Sequence, residues 1–445
     1  MKLPHYILSD LYDANPPATT YILTNIHLVD PTLDWDGPAE LWIENGMIHK
    51  IDVPNSFSSK AAEERPEVFD GQSYLCVPGL VDIHTHLREP GFEYKETIAS
   101  GTLSAAAGGF TSILCMANTN PVNDNPFVTQ FIKSQVEKTG AVRVYPVGAL
   151  SKGLKGLELA EIGKMHEVGI VAVSDDGLPV MNSYLMRKAL DYCKTFQLSI
   201  ISHAEDSNLV GQGVMNEGFH SHCLGLRGIP AASEEILVSR DIVLSRLTKG
   251  KVHFAHLSTK QALLQVNRAK QEGLPITCEV TPHHLFFTEE DVKSYDTNFK
   301  MAPPLRTIED KEALQNALKN GTVDCIATDH APHTPSDKDT LFEFASNGVI
   351  GLETAWCVGL SLVNQGVCSI FRLVDLMSCT PARLMGLPAG SLKPGSNADF
   401  MLSDVQTQNT FLNFYSKSKN SPFLDKTLKG KVIATFVGGK CKWPL

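Results

Sequence analysis

The chain has 445 residues and a formal net charge of −10, from 39 Lys and Arg against 49 Asp and Glu. Hydrophobic residues make up 43% and charged residues 20%, the balance of a globular chain able to bury a full core. The acidic surplus argues against nucleic acid or an anionic membrane as the main partner. No apolar run reaches the ~18 residues of a membrane span. The start, MKLPHYILSDLYDANPP, lacks the long apolar region and small-residue cleavage site of a secretory signal. A cytoplasmic protein is expected, and the ten cysteines agree. They form no C-x-x-C pair, and several sit in apolar strand-like runs (ITCEV, DCIAT), as buried free thiols of a reducing compartment do.

In chain order, residues 1–18, with Pro16 and Pro17, read as an N-terminal extension. Alternating segments (YILTNIHLVD, ELWIENGMIHKID) follow, broken at Asn45-Gly46 as in a hairpin. A polar stretch then runs from Pro54 to Pro66. The C-terminal part repeats this β character in FMLSDV and KVIATFVGGKCKW, with a turn at Gly438-Gly439. Residues 19–78 and 390–445 are therefore expected to form one small β-sandwich domain.

Between them, residues 79–389 alternate β and α. Apolar, β-branched runs recur at Leu80–His86, Phe110–Met116, Val142–Val147, Gly169–Ser174, Leu198–Ser202, Lys251–Ala255, Pro275–Val280 and Val323–Thr328. Helix-like segments separate them; Glu96 to Gly108, for example, starts acidic and stops at Gly108-Gly109. Eight such units predict an α/β fold of the (β/α)8 TIM-barrel type, with its active site at the C-terminal strand ends.

Polar residues fall at those ends. Asp82-Ile83-His84-Thr85-His86 closes the first strand, and i, i+2 alternation points His84 and His86 into the barrel mouth. The fourth strand ends in Asp175-Asp176, the fifth in His203, the sixth in His256 and the eighth in Asp329. Imidazole and carboxylate suit zinc and its neighbours, and this many ligands exceeds one tetrahedral ion, so two adjacent metals are the natural reading. Such a pair lowers the pKa of a bridging water and polarises a carbonyl. Asp329 would be the proton shuttle as well as a ligand.

The segments DIHTHLREPGFEYKE, SDDG, SHAED, HLSTK, PPLR and TDHAPH resemble the dihydroorotases of the type I bacterial group, in the amidohydrolase superfamily. The resemblance covers nearly the whole chain from about residue 20. It implies reversible cyclisation of N-carbamoyl-L-aspartate to L-dihydroorotate in pyrimidine biosynthesis, through metal-activated hydroxide. It also implies zinc, one or two ions per subunit, and suggests a homodimer. By the same resemblance His84 and His86 hold one metal, His203 and His256 the other, and Asp176 bridges them where many relatives use a carboxylated lysine. Asp175 is read as a hydrogen-bond acceptor at the strand end. Arg88, Asn118 and His333 are assigned to the substrate carboxylate, for which a guanidinium fork is well matched. The alternatives are an Arg88 ion pair with Glu89 or Glu93, a helix-capping Asn118 and a loop-shaping His333.

Three residues depart from the family pattern: Ala117 in place of Pro, Ala302 in place of Asn, and Asn347 in place of an aromatic residue. Backbone contacts to substrate at Ala302, Asn347 or Gly348 survive such changes, whereas an Asn side-chain contact at 302 does not. His220-Ser221-His222-Cys223 reads as surface in a Gly-rich loop, and His283-His284 as either metal-supporting or structural. Gly390–Gly395 reads as an architectural turn, and Lys60–Glu64 as a solvated loop. The rivals are a dihydropyrimidinase, hydantoinase or allantoinase, whose substrates lack the ring carboxylate, and a silent homologue serving aspartate carbamoyltransferase as a structural subunit.

Overall fold

The computed structural model describes the backbone of residues 5–7 and residues 20–54 and 66–444. The expected extension 1–18 and the Lys60–Glu64 loop lie outside these, apart from a strand at His5–Ile7 that pairs in parallel with Glu67–Asp70.

Eight parallel strands form the central sheet in sequential order: β1 Leu80–Thr85, β2 Phe110–Cys115, β3 Arg143–Gly148, β4 Ala172–Val173, β5 Ser199–Ser202, β6 Val252–Phe254, β7 Ile276–Val280 and β8 Cys325–Ile326. A parallel bridge between Thr85 and His330, with the His86 amide donating to the His330 carbonyl at 2.9 Å, closes the ring. The barrel interior is filled, not hollow: Val81, Ile83, Leu114, Met116, Val147, Ile201 and Ala327 form one cluster with Met385 and Leu387. Surrounding helices carry local stop and start signals. The helix Ile98–Ala107 begins at a Thr97–Ser100 capping box and ends at Gly108.

Simple alternation does not by itself place His84 and His86. Val81 and Ile83 already face the interior, and a register break between Asp82 and Thr85 shifts the parity so that both histidines also turn to the centre. Irregularities of this kind re-aim side chains at barrel rims.

A nine-stranded mixed sheet draws on both ends of the chain, from His5–Ile7 to Lys440–Trp443. The long strand Phe400–Thr410 lies between Leu75–Pro78 and Thr427–Val437. Tyr21, Leu41, Ile48, Phe69, Phe400 and Phe436 share one buried core, so the sheet folds over itself as a sandwich. Asn45 and Gly46 both have positive φ, as the predicted hairpin requires. Arg143 at the start of β3 grips Asp399 with two bonds, 2.7 and 3.1 Å, joining sandwich to barrel. All ten cysteines are free, and seven are buried.

Candidate active site

Six side chains from five strand ends meet at the barrel mouth. Asp176 stands at the centre, 3% exposed. Its Oδ2 lies 3.3 Å from both His84 Nε2 and His86 Nε2, and its Oδ1 lies 3.4 Å from both His203 Nδ1 and His256 Nε2. Asp329 Oδ1 is 3.1 Å from His86 Nε2 and 3.5 Å from His84 Nε2. Each oxygen of Asp176 thus serves one histidine pair, and Asp329 joins the first pair.

The protons of these rings are directed outward. His84 Nδ1 donates to Glu279 at 2.6 Å, His86 Nδ1 donates to the Asn118 carbonyl oxygen at 2.9 Å, and His203 Nε2 faces Glu205 at 3.2 Å. The inward nitrogens then present lone pairs to carboxylate oxygens and to one another, His203 Nδ1 and His256 Nε2 being 2.9 Å apart. Such an arrangement is repulsive unless positive charge fills it. The fields of Asp176, Glu279 and Asp329 raise His84 well above its usual range against the effect of burial. His203 rises likewise to about 10, through Asp176 and Glu205. His84 Nε2, Asp176 Oδ1 and His256 Nδ1 are buried without hydrogen-bond partners.

The donor set fits metal. Tetrahedral coordination with bonds of 2.0–2.1 Å separates ligand atoms by about 3.3 Å, close to the spacings above. His84, Asp176 and His256 form one candidate group of ligands, and His84, His86 and Asp329 another. Outward hydrogen bonds to carboxylate or amide are the usual means of fixing a metal-binding imidazole.

Three residues at the strand ends have strained backbone. Arg88, His256 and Asp329 have φ of 63°, 31° and 48°, a region that disfavours residues other than glycine by roughly 1–3 kcal/mol each. Asp82 anchors the strand ends by accepting from the His84 amide at 3.0 Å and from the Thr328 amide and hydroxyl at 3.1 and 2.5 Å. Burial lifts its carboxyl to about 7. Asp175 accepts from the Leu150 and Ser151 amides at 2.9 and 2.8 Å and from the Ser151 hydroxyl, which is the acceptor role expected for it.

Beside the histidine cluster, Arg88 Nε donates to the Pro332 carbonyl at 3.2 Å, and its Nη2 lies 3.4 Å from His333 Nε2. Glu89 and Glu93 do not pair with it; they accept from the Ile98 and Gly91 amides. His333 sits between Arg88 and Lys95, whose Nζ is 3.3 Å from Nδ1. Burial and these two cations push the imidazole down to about 3, so it is neutral at physiological pH. Asn118 does not cap the following helix; Asn125 does.

The other expected contacts divide. Ala302 has no polar side chain, and Asn347 is exposed. The Gly348 amide donates to the Lys300 carbonyl, while its own carbonyl accepts from Lys338 and Asn420, so both backbone groups are engaged within the protein. A Cβ there would come within 2.7 Å of Ala331 and 3.3 Å of His333 Nε2. The glycine lets the loop lie against Ala331 and His333.

His220 and His222 lie on a short helix, Phe219–Leu224, where a loop was expected; Gly225 in left-handed conformation ends it. His284 bonds Thr281 and the Pro303 carbonyl and is structural, whereas His283 Nε2 is buried without a partner.

Glu279 and Asn420 escape a motif reading. Glu279 left a signal, an acid inside the apolar run ITCEV. Asn420 left none, because the groups its side chain bonds are 72 and more residues away in sequence.

A profile of dihydro-orotase-like proteins matches residues 73–262. The dihydroorotase of Geobacter metallireducens is 48% identical over 93% of this chain and 97% of its own. That of Pelobacter propionicus is 45% identical over 94% and 98%. Among solved structures, the L-hydantoinase (dihydropyrimidinase) of Arthrobacter aurescens superposes with a TM-score of 0.85 at 25% identity, covering 95% of both chains. The Brevibacillus agri dihydropyrimidinase, at 22% identity and a TM-score of 0.80, shares the fold. With near-full-length identity this high, and a histidine–aspartate centre at the mouth of the barrel, the chain belongs to the dihydroorotase family.

Proposed function

We infer that the protein is a dihydroorotase, interconverting N-carbamoyl-L-aspartate with L-dihydroorotate and water. The observation that carries this reading is the cationic clamp of Arg88 and neutral His333 at the edge of a carboxylate-bridged histidine cluster. L-Dihydroorotate carries a carboxylate beside a cyclic amide, and the two features match the two halves of the site. Hydantoinases and dihydropyrimidinases share the fold, but their substrates offer Arg88 no carboxylate. A silent structural subunit has no need of an intact ligand set.

The metal assigned is zinc, one or two ions, held by His84, His86, Asp176, His203, His256 and Asp329. Bound there, zinc supplies an acidified water and polarises the amide carbonyl. The chain's own residues then orient and move protons. Arg88, His333 and Asn118 Nδ2 receive the substrate carboxylate, which fixes the ring over the cluster. The fields of His84, His86 and His256 keep the Asp329 carboxyl well below its usual range, so it is ionised and able to act as base. In ring opening Asp329 takes the proton of the attacking water and delivers it to the departing ring nitrogen. In cyclisation it accepts the proton of the ureido nitrogen.

Residues 79–389 are assigned as the catalytic barrel and residues 19–78 with 390–445 as the accessory domain. The assigned compartment is the cytoplasm, supported by ten free cysteines. Among the described residues no helix is long and apolar enough to cross a membrane. A homodimer and association with aspartate carbamoyltransferase complete the reading, and sedimentation of the protein alone and with that enzyme tests both.

The deciding experiment compares ring opening of L-dihydroorotate and uncharged dihydrouracil by zinc-loaded protein. Turnover of the acid is expected, with Arg88→Ala raising its KM by about 10- to 100-fold, as loss of a charge-assisted bond does. A preference for dihydrouracil would reassign the protein to the dihydropyrimidinases.

A further inference from the structure

The segment between the strands Phe400–Thr410 and Thr427–Val437 leaves the sandwich sheet and bonds to loops that follow β1 and β8 of the barrel. It reaches both loops that carry the clamp. On the side of Arg88, the Lys417 amide donates to Glu96 at 3.0 Å, its Nζ to the Glu93 carbonyl at 2.6 Å, and the Ser418 hydroxyl to the Lys95 carbonyl at 2.7 Å. On the side of His333, Asn420 makes four bonds. Its side-chain oxygen accepts from the His333 amide at 3.0 Å, its Nδ2 donates to the Ala331 and Gly348 carbonyls at 3.0 and 3.1 Å, and its carbonyl accepts from Ile350 at 2.9 Å.

Asn420 is 5% exposed. Its two Nδ2 bonds tie together the outgoing and returning arms of the loop 330–350. Packing does not do this on the outer side, where the loop borders a cavity of about 430 Å³ lined in part by Thr297, His333, Pro335 and Lys338. The Lys338 ammonium closes the loop on itself, donating to the Ser346 and Gly348 carbonyls at 2.8 and 2.9 Å. Arg88 reaches the loop directly at the Pro332 carbonyl, and the Ala331 amide joins the two arms at Val349. Asn420 adds three side-chain bonds from outside, one of them to the His333 amide itself.

We propose that Asn420 is a positioning residue for substrate binding: through it the accessory domain sets the distance between His333 and Arg88 and thereby the affinity for the ring carboxylate. This rests on the dihydroorotase reading above. Asn420 touches no reacting atom, so its removal acts on KM more than on kcat.

The test measures kcat and KM on L-dihydroorotate and on dihydrouracil for wild type, Asn420→Ala, His333→Ala and the double variant. Asn420→Ala is expected to raise KM for the acid about tenfold, with kcat changed less than about threefold and with a smaller effect on dihydrouracil. In the His333→Ala background the effect of Asn420→Ala on KM should largely vanish, because both act through one clamp. Additive effects, or equal losses on both substrates, would mean that Asn420 only supports the fold. Ser418→Ala, which removes only the side-chain bond to the Lys95 carbonyl, covers the case in which Asn420→Ala does not fold; it should raise KM for the acid more modestly, and an unchanged KM would overturn the proposal. Wild-type protein silent on L-dihydroorotate would overturn the functional reading and this inference together, whereas wild-type turnover with unaltered KM in the variants overturns the inference alone.

Discussion

Asp329 holds two positions at once. Its backbone is in the left-handed region, and its carboxylate lies within 3.5 Å of two histidines while facing the mouth. Asp329→Asn keeps the shape and an oxygen ligand but cannot take a proton. Turnover should fall by about 10²–10⁴-fold, the usual worth of a general base, with substantial zinc retained by metal analysis. Wild-type rates in that variant would exclude the assigned role. His333 gives a pH dependence of known sign. Its ordinary value of 6.5 is depressed to about 3 in the fold, so between these limits the unfolded chain binds a proton that the folded one excludes. This contribution to stability is complete above pH ~6.5 and is lost progressively as pH falls toward 3. Urea unfolding at pH 7 and pH 5 should therefore show a smaller acid loss in His333→Asn than in wild type.

At the scale of the element, β7 matters through one residue. Glu279 is fully buried and accepts from His84 Nδ1 and from His253 Nε2, 2.6 and 3.1 Å away. It fixes the ring that meets both aspartates. Glu279→Gln should weaken zinc binding by about 10-fold or more in a competitive chelator titration, the range seen when such outer hydrogen bonds are lost. Undiminished affinity would make Glu279 a mere core acid. The strands themselves were legible because each is a short apolar run, and five of them are followed by a His or Asp of the cluster, so barrel order and the candidate ligands are read from the same letters. The register break in β1 was not, since it depends on how Leu80–Thr85 meets β2 and not on its own pattern. Nor were the partners of Arg88 legible. Glu89 and Glu93 are its sequence neighbours, but a tight loop turns both toward backbone amides. Asn118 stands out in the sequence as a candidate for the substrate carboxylate, whereas its bond to His86 required the fold.

For the molecule as a whole, the sandwich and the barrel are one stability unit at Asp399. This carboxylate is 4% exposed, holds the Arg143 guanidinium with both oxygens and accepts from the Gly438 amide at 2.7 Å. Asp399→Ala leaves a half-buried cation and a backbone amide without their acceptor. A loss of about 2–4 kcal/mol is expected, somewhat below that of a fully buried pair because Arg143 keeps some solvent. Chemical denaturation checks this, and a change under about 0.5 kcal/mol, typical of an ordinary surface site, would show the two bodies to be joined by apolar packing alone.

The strand Thr20–Asp30 leaves the ribosome several hundred residues before Phe400 and Phe436, which complete its core. Barrel units can pair locally as they emerge, because each β strand lies beside the next in sequence. The segment 415–420 arrives only after all eight. During synthesis the histidine cluster can thus assemble before Asn420 emerges to hold the loop that carries His333.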